Sequence, residues 1–539
     1  MVRNIIDTVR PSYVVVLGSL LSGIGKGIVS SSIAKVLSSY DINTLPLKFD
    51  GYLNFDCGTM NPLKHGEVFV LDDKSEVDMD FGTYERFLNK DLNGSFSLTG
   101  GRLFSEIIAK ERKGEFLGSD VQIIPHLTNL ILKKIEETAK ENSLETMLIE
   151  VGGTVGDIEN SYFIEAMREL ALKNKVVFIV LVYVPELDVV GEQKTKPTQL
   201  ALRSLMQTGI QPDFIVTRST NPLNKKAKEK IALFANLPVE RIIDNHDTSN
   251  IYTVPMNMIE CGFDKQLLKE LGYEDRKPNS EKLAAWSDYL QRSNTGKPLK
   301  IAVVGKYVDL HDSYVSVNEA IVHASATCGA KTKVKWIESE TLEEIEGETA
   351  HALEDIDGVI VPGGFGSRGI TGMIKAIEYS RVNKKPYLGI CLGMQLMAIE
   401  FARNVAKLED ADSTEFNPST QNKVIHIMED QKAVTEKGGT MRLGSWPATV
   451  KKGTYAFDAY GSEQIHERHR HRYEFNNIYR ESFDKLGLRI SATTPDDRLV
   501  EIIEWKDSFG IATQAHPELK SRPERPAPLF VELIKHAMM

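Results

Sequence analysis

Cys391 stands in the run Tyr387-Leu388-Gly389-Ile390-Cys391-Leu392-Gly393-Met394-Gln395, a G-x-C-x-G pattern in which a short apolar stretch leads into a helical one. Glycines two residues either side allow the strained strand-to-helix elbow that exposes a nucleophile, and the start of a helix favours a thiolate. A thiol that attacks a carbonyl needs a base, and the base needs a group to orient it. Gln514-Ala515-His516-Pro517-Glu518 supplies a histidine with an acid two residues on. Upstream, Val361-Pro362-Gly363-Gly364-Phe365-Gly366 follows another apolar run, and its glycines let backbone N–H groups approach a developing oxyanion. A free cysteine alone is more often a small core residue. The three pieces together fit one acyl-transfer site.

A second chemistry is written near the N-terminus. Ser22-Gly23-Ile24-Gly25-Lys26-Gly27 lies between the apolar run Tyr13 to Leu17 and the helical stretch Ile28 to Tyr40, the context in which a glycine-rich loop cradles phosphates. It is not a strict Walker A sequence, because Gly27 follows Lys26 where a serine or threonine normally holds magnesium. A metal-nucleotide here needs carboxylates from elsewhere. Asp80 and Glu150 are the candidates. A single acid is usually a solvated surface charge, but Glu150 ends the apolar strand Met147 to Val151, where a charge seldom stands without a partner. Gly191 to Gln199 gathers Lys194, Thr195, Lys196, Thr198 and Gln199, which suits either a surface loop or a clamp on a second polyphosphate. In Glu467 to Tyr473, strand alternation puts Arg468, Arg470 and Arg472 on one face and His469 and His471 on the other, an arrangement that does not favour a metal site.

These residues need elements to position them. Apolar runs at Tyr13 to Leu17, Met147 to Val151, Val176 to Val184, Ile301 to Val304, Val359 to Val361 and Tyr387 to Ile390 alternate with helical patterns, the signature of buried parallel strands. The predicted fold class is α/β, with two doubly wound parallel-sheet domains. Polar sequence between Tyr273 and Pro298 marks their junction. The expected division is residues 1–275 for a phosphate-binding domain, 276–298 for a linker and 299–539 for the cysteine domain.

Bulk composition limits the partners. Lysine plus arginine (65) against aspartate plus glutamate (75) gives a net charge of -10, against a general nucleic-acid or anionic-membrane surface. Four cysteines without a C-x-x-C pair support neither a disulfide framework nor a cysteine-rich zinc site. No stretch approaches the roughly 20 apolar residues of a membrane helix, and no signal peptide is read. The expectation is a cytoplasmic protein.

The Cys391 elbow, the Gly363-Gly364-Phe365-Gly366 loop and His516-Pro517-Glu518 together resemble the class I glutamine amidotransferases. That resemblance implies that Cys391 attacks the glutamine amide, His516 shuttles the proton and Glu518 orients His516. It further implies that Gly364 and Leu392 lie at the oxyanion hole, and that Gly364, Leu392, Gly393, Met394, Gln395, Glu415 and Arg472 hold the substrate glutamine. Ala515 departs from the aromatic residue usual before the histidine.

Lys64-His65-Gly66-Glu67-Val68-Phe69-Val70, Gly82-Thr83-Tyr84-Glu85-Arg86-Phe87, Val151 to Glu159 and Lys194 to Gln199, in that order, resemble the CTP synthase family, over about Tyr13 to Phe530. The resemblance implies that ATP phosphorylates O4 of UTP and that ammonia displaces the phosphate to give CTP. By matching position, Ser22, Gly23, Ile24, Gly25, Lys26, Gly27 and Asp80 would hold ATP, and Asp80 and Glu150 would bind Mg2+. Ser22, Asp157, Ile158, Glu159, Lys194, Thr195, Lys196, Pro197, Thr198, Gln199 and Lys230 would meet UTP or inhibitory CTP, with His65 on the ammonia path. GTP activation, CTP feedback, a homotetramer and filaments are implied by the same likeness. Ser19, Gly51, Lys74-Ser75 and Ser119-Asp120 depart from the usual pattern around the ATP site. Two other readings compete: a different amide-forming ligase such as a cobyrinate amidase, and a scaffold that polymerises. The Lys194 to Gln199 motif counts against the first, and the intact Cys391, His516 and Glu518 against the second.

Overall fold

The computed structural model describes residues 10–19, 21–187, 191–344, 347–428, 431 and 438–539. It divides into two compact units. One comprises the chain through Asp56, Thr83–Leu88 and Ser95–Ala284; the other comprises Cys57–Gly82, Asn89–Gly94 and Ala285–Met539.

The first unit is built on seven parallel strands: β1 (Ser12–Gly18), β2 (Thr44–Asp50), β3 (Ser97–Thr99), β4 (Thr146–Val151), β5 (Val176–Tyr183), β6 (Phe214–Ser219) and β7 (Ile242–His246). Their order is β7-β6-β5-β1-β4-β2-β3. Val14, Val15 and Val16 of β1 are completely buried, which a strand covered by helices on both faces requires. Helices α1 (Lys26–Ser39) and α3 (Lys196–Gln207) begin at candidate residues, as does α2 (Asp80–Leu88), of which Thr83–Leu88 belong to this unit. The phosphate-loop candidate therefore sits between β1 and α1, beyond a strand's C-terminal end, where open α/β sheets bind ligands.

The stretch expected as a polar linker holds a helix, α4 (Ser280–Asn294). Asn279 caps it, its Oδ1 accepting the N–H groups of Glu281 and Lys282 at 3.1 and 3.2 Å. Polar composition concealed an amphipathic helix whose Trp286 and Tyr289, three residues apart, are both buried.

The main sheet of the second unit has nine strands: β8 (Lys297–Gly305), β9 (Ala330–Glu338), β10 (Gly358–Val361), β11 (Tyr387–Ile390), β12 (Arg442–Val450), β13 (Gln464–His471), β14 (Leu488–Thr493), β15 (Val500–Trp505) and β16 (Gly510–Thr513). The order is β9-β8-β10-β11-β16-β15-β14-β12-β13. Pairs from β9 to β16 are parallel, as expected from the apolar runs. From β16 through β15, β14 and β12 to β13 the pairing is antiparallel, a part of the sheet the sequence pattern did not reveal. Helices α5 (Val315–Cys328) and α6 (Leu392–Asn404) belong to this unit. Strands β11 and β16 lie side by side, so the ends that carry Cys391 and His516 emerge together.

Candidate functional site

Cys391 occupies the turn between β11 and α6 with φ 52° and ψ -99°, a left-handed conformation that costs a non-glycine residue roughly 1–3 kcal/mol. The elbow is fastened by the Cys391 N–H, which donates to Thr513 O at 2.7 Å on the neighbouring strand. Gly393 is dictated by packing: a Cβ there would lie 2.1 Å from Val361 O. The thiol is buried, with Gln514 Nε2 3.5 Å from Sγ.

His516 Nδ1 lies 2.7 Å from Glu518 Oε1, and Nε2 is buried with no hydrogen-bond partner in the described residues. Burial alone would lower the His516 pKa, but the Glu518 carboxylate and the Cys391 sulfur outweigh it and raise it to about 10. A Cβ on Gly363 would stand 2.8 Å from His516 Cε1 and 3.7 Å from Cys391 Cβ. Base, thiol and glycine loop thus close around one point. A cavity of about 70 Å³ opens there, lined by Gly363, Gly364, Phe365, Cys391, His516 and Glu518 together with Tyr307, Tyr314, Arg470, Pro62, Glu67 and Val68. A buried thiol, a histidine held by a carboxylate and backbone N–H groups beside them suffice for acyl transfer from an amide.

Leu392, Gly393, Met394 and Gln395 form the buried first turn of α6. Gln395 Nε2 donates to Tyr473 O at 3.2 Å and Gln514 Oε1 at 3.3 Å. Glu415 accepts the Gly366 N–H at 2.9 Å, and its burial raises its pKa. Arg472 donates to Gln431 Oε1 at 2.6 Å and to Thr440 Oγ1 at 2.9 Å. His469 and His471 face away from Arg470, as alternation requires. Their rings meet at 3.0 Å beside Arg442, Glu474 and Glu501, and burial pushes both pKa values well down. His65 closes the short helix Pro62–His65 and is exposed.

In the first unit, Lys26 Nζ donates to Gly153 O at 2.6 Å, which brings the Ser22 to Gly27 loop against the segment that carries Asp157 to Glu159. Asp157 Oδ2 accepts the Thr154 N–H at 2.8 Å, while Ile158 and Glu159 are exposed. Arg218 was not singled out from sequence, yet its Nη1 lies 3.1 Å from where a Cβ on Gly25 would stand. Its position at the end of β6 is the signal that could have found it. Glu150 is buried on β4 and accepts Tyr84 OH at 2.6 Å. Asp80, which falls in the second unit, opens α2, its N–H held by Asp78 Oδ1 at 2.9 Å.

Lys194, Thr195, Lys196, Gln199 and Lys230 converge with Glu192 and Gln193 on an open recess of about 700 Å³. Lys194 Nζ pairs with Glu192 at 2.6 Å, and Gln199 Nε2 donates to Thr195 Oγ1 at 3.2 Å. Pro197 and Thr198 do not line it: Pro197 occupies the first turn of α3, and the buried Thr198 hydroxyl donates to Tyr183 O at 2.8 Å.

Among the described residues no group of three or more His, Cys, Asp or Glu side chains could hold a metal. Magnesium takes one or two carboxylates with nucleotide phosphates, so acids such as the buried Glu150 fit it. No described helix is long and apolar enough to cross a membrane.

Residues 12–273 match the family described as CTP synthase N-terminus, and residues 309–536 match glutamine amidotransferase class-I. A CTP synthase of Caldanaerobacter subterraneus is 47% identical over 528 residues, covering 97% of each chain. That of Pyrococcus furiosus is 48% identical over 531 residues, again covering 97% of each. Among solved structures, the glutaminase domain of a Trypanosoma brucei CTPS with bound acivicin is 38% identical, covers 44% of this chain and 94% of its own, and has a TM-score of 0.42. With sequence identity near one half along almost its whole length and both characteristic domains matched, the chain belongs to the CTP synthase family.

Proposed function

We propose that this chain makes CTP from UTP, consuming ATP and taking its nitrogen from L-glutamine. The observation that carries the glutaminase half is the meeting of Cys391, His516 and Gly363 at one point, with Glu518 on the far nitrogen of the histidine. Cys391 Sγ attacks the side-chain carbonyl carbon of glutamine, and N–H groups of the Gly363-Gly364 loop and of Leu392 receive the oxyanion. His516 gives its proton to the departing nitrogen, releasing ammonia and leaving a thioester. Water, deprotonated by His516, then frees glutamate and restores the thiol. Gln395, Glu415 and Arg472 hold the rest of the amino acid.

In the synthase half, Ser22 to Gly27 hold the ATP phosphates, with Lys26 as the principal cation. Asp80 and Glu150 would hold the magnesium ion that accompanies ATP, which would neutralise phosphate charge. The γ-phosphoryl group passes to O4 of UTP; ammonia then adds at C4 and inorganic phosphate leaves. The lysines around the open recess suit the triphosphate of UTP or of product CTP. Activation by GTP, feedback by CTP, a homotetramer, filaments and a cytoplasmic location complete the proposal; these rest on the family resemblance.

The direct test follows conversion of UTP to CTP by absorbance, with ATP and magnesium, and with glutamine or ammonium as donor. CTP with both donors supports the coupled reading. Glutamine hydrolysis without CTP would refute the assigned acceptor.

A further inference from the structure

Lys306 follows β8 and is buried to 1% exposure, an unusual place for a lysine. Its Nζ donates to Phe365 O at 3.2 Å and to Gly366 O at 2.6 Å. Its stem packs on the same loop, Cδ lying 3.3 Å from where a Cβ on Gly364 would stand, with Leu392 Cδ2 equally close. Two of the loop's N–H groups are also fastened by side chains. The Phe365 N–H donates to Tyr307 OH at 3.3 Å and the Gly366 N–H to Glu415 Oε1 at 2.9 Å. Arg368 donates back to Lys306 O. Gly363, at the other end of the loop, lies against His516 and Cys391.

We infer that Lys306 is a positioning residue for glutamine hydrolysis, an ammonium tether that fixes the Gly363 to Gly366 loop so that the N–H groups of Gly363 and Gly364 meet the oxyanion formed at Cys391. The inference rests on the acyl-transfer reading of that loop. Lys306 touches neither thiol nor base in this arrangement. It acts on the transition state through backbone geometry, where an error of about 1 Å costs on the order of 10²-fold in rate.

The tether has its own pH signature. Burial lowers the Lys306 pKa to about 8. Glu415, Glu338 and Glu340 oppose that shift, Arg368 adds to it, and the hydroxyls of Tyr307 and Tyr314 are the other titratable groups beside it. A charged tether is lost as pH rises through that value.

The test compares Lys306→Met and Lys306→Arg with the unaltered enzyme. For Lys306→Met the glutamine-dependent kcat should fall by about 10²-fold, with little change in KM for glutamine. Alkylation of Cys391 by iodoacetamide and ammonia-dependent CTP synthesis should stay within about twofold. Lys306→Arg should recover much of the rate and lose the decline above pH about 8. An unchanged kcat in Lys306→Met would overturn the inference while leaving the acyl-transfer reading intact. A parallel loss of alkylation or of ammonia-dependent synthesis would also overturn it, since Lys306 would then support the thiol or the fold at large. If Cys391→Ala still hydrolyses glutamine, the acyl-transfer reading itself fails and the inference falls with it.

Discussion

Nδ1 of His516 stands 2.7 Å from Oε1 of Glu518, the carboxylate buried and the imidazole partly buried. Burial would drive the histidine neutral, yet the carboxylate and the Cys391 sulfur hold its pKa at about 10. The imidazole is therefore held protonated at neutral pH.

Replacing Glu518 with glutamine removes the carboxylate that fixes the imidazole and its charge. The glutamine-dependent kcat should fall by about 10² to 10⁴-fold. The fall of kcat at high pH, set by loss of the His516 proton, should move to lower pH, because glutamine no longer holds the imidazole charged. An unchanged pH profile of kcat would contradict the pairing of Glu518 with His516.

The same pair links stability to pH. The folded-state pKa of His516 is raised from 6.5 to about 10, so the stability it contributes is complete below pH about 6.5 and is lost as pH rises through about 10. Denaturant unfolding of the wild type and Glu518→Gln across that range should show the difference between them shrinking as pH rises. A constant difference would exclude the linkage.

Gly393→Ala places a methyl group 2.1 Å from Val361 O, a backbone atom with little freedom to move. Destabilisation of the cysteine unit by about 1–3 kcal/mol is expected, with loss of glutaminase activity. A wild-type melting profile would show that the elbow yields more easily than its packing indicates.

Lys26→Met should reduce CTP formation from either nitrogen donor by at least about 10²-fold while glutamine hydrolysis, measured as glutamate release, persists. Glu150→Ala should do the same, because phosphorylation of UTP precedes both routes. Ammonia-dependent turnover at the wild-type rate in either variant would remove that residue from the nucleotide site.

Much of this was legible in the sequence because function is carried by local motifs at strand ends. The β1 to α1 loop with Lys26 and the β11 to α6 elbow with Cys391 each combine an apolar run, glycines and a reactive side chain within a dozen residues. Alternation alone placed His469 and His471 opposite Arg470. What escaped was long-range or compositionally disguised. Lys306 lies almost sixty residues before the loop it holds, and nothing in the spacing of Gly363 to Gly366 points back to it. Arg218 reaches the phosphate loop only because β6 is laid two strands from β1. Trp286 and Tyr289 were hidden among charges that made their helix read as a linker. The antiparallel half of the second sheet uses strands such as Gln464–His471, whose buried charged and imidazole groups defeat a hydrophobicity pattern.

The most direct test of the whole account is CTP formation by Cys391→Ala, measured side by side with glutamine and with ammonium as nitrogen donor. The account predicts no synthesis from glutamine and near wild-type synthesis from ammonium, since only the ammonia source is lost. Equal loss with both donors, or retained synthesis from glutamine, would contradict two coupled sites with Cys391 as the nucleophile of one.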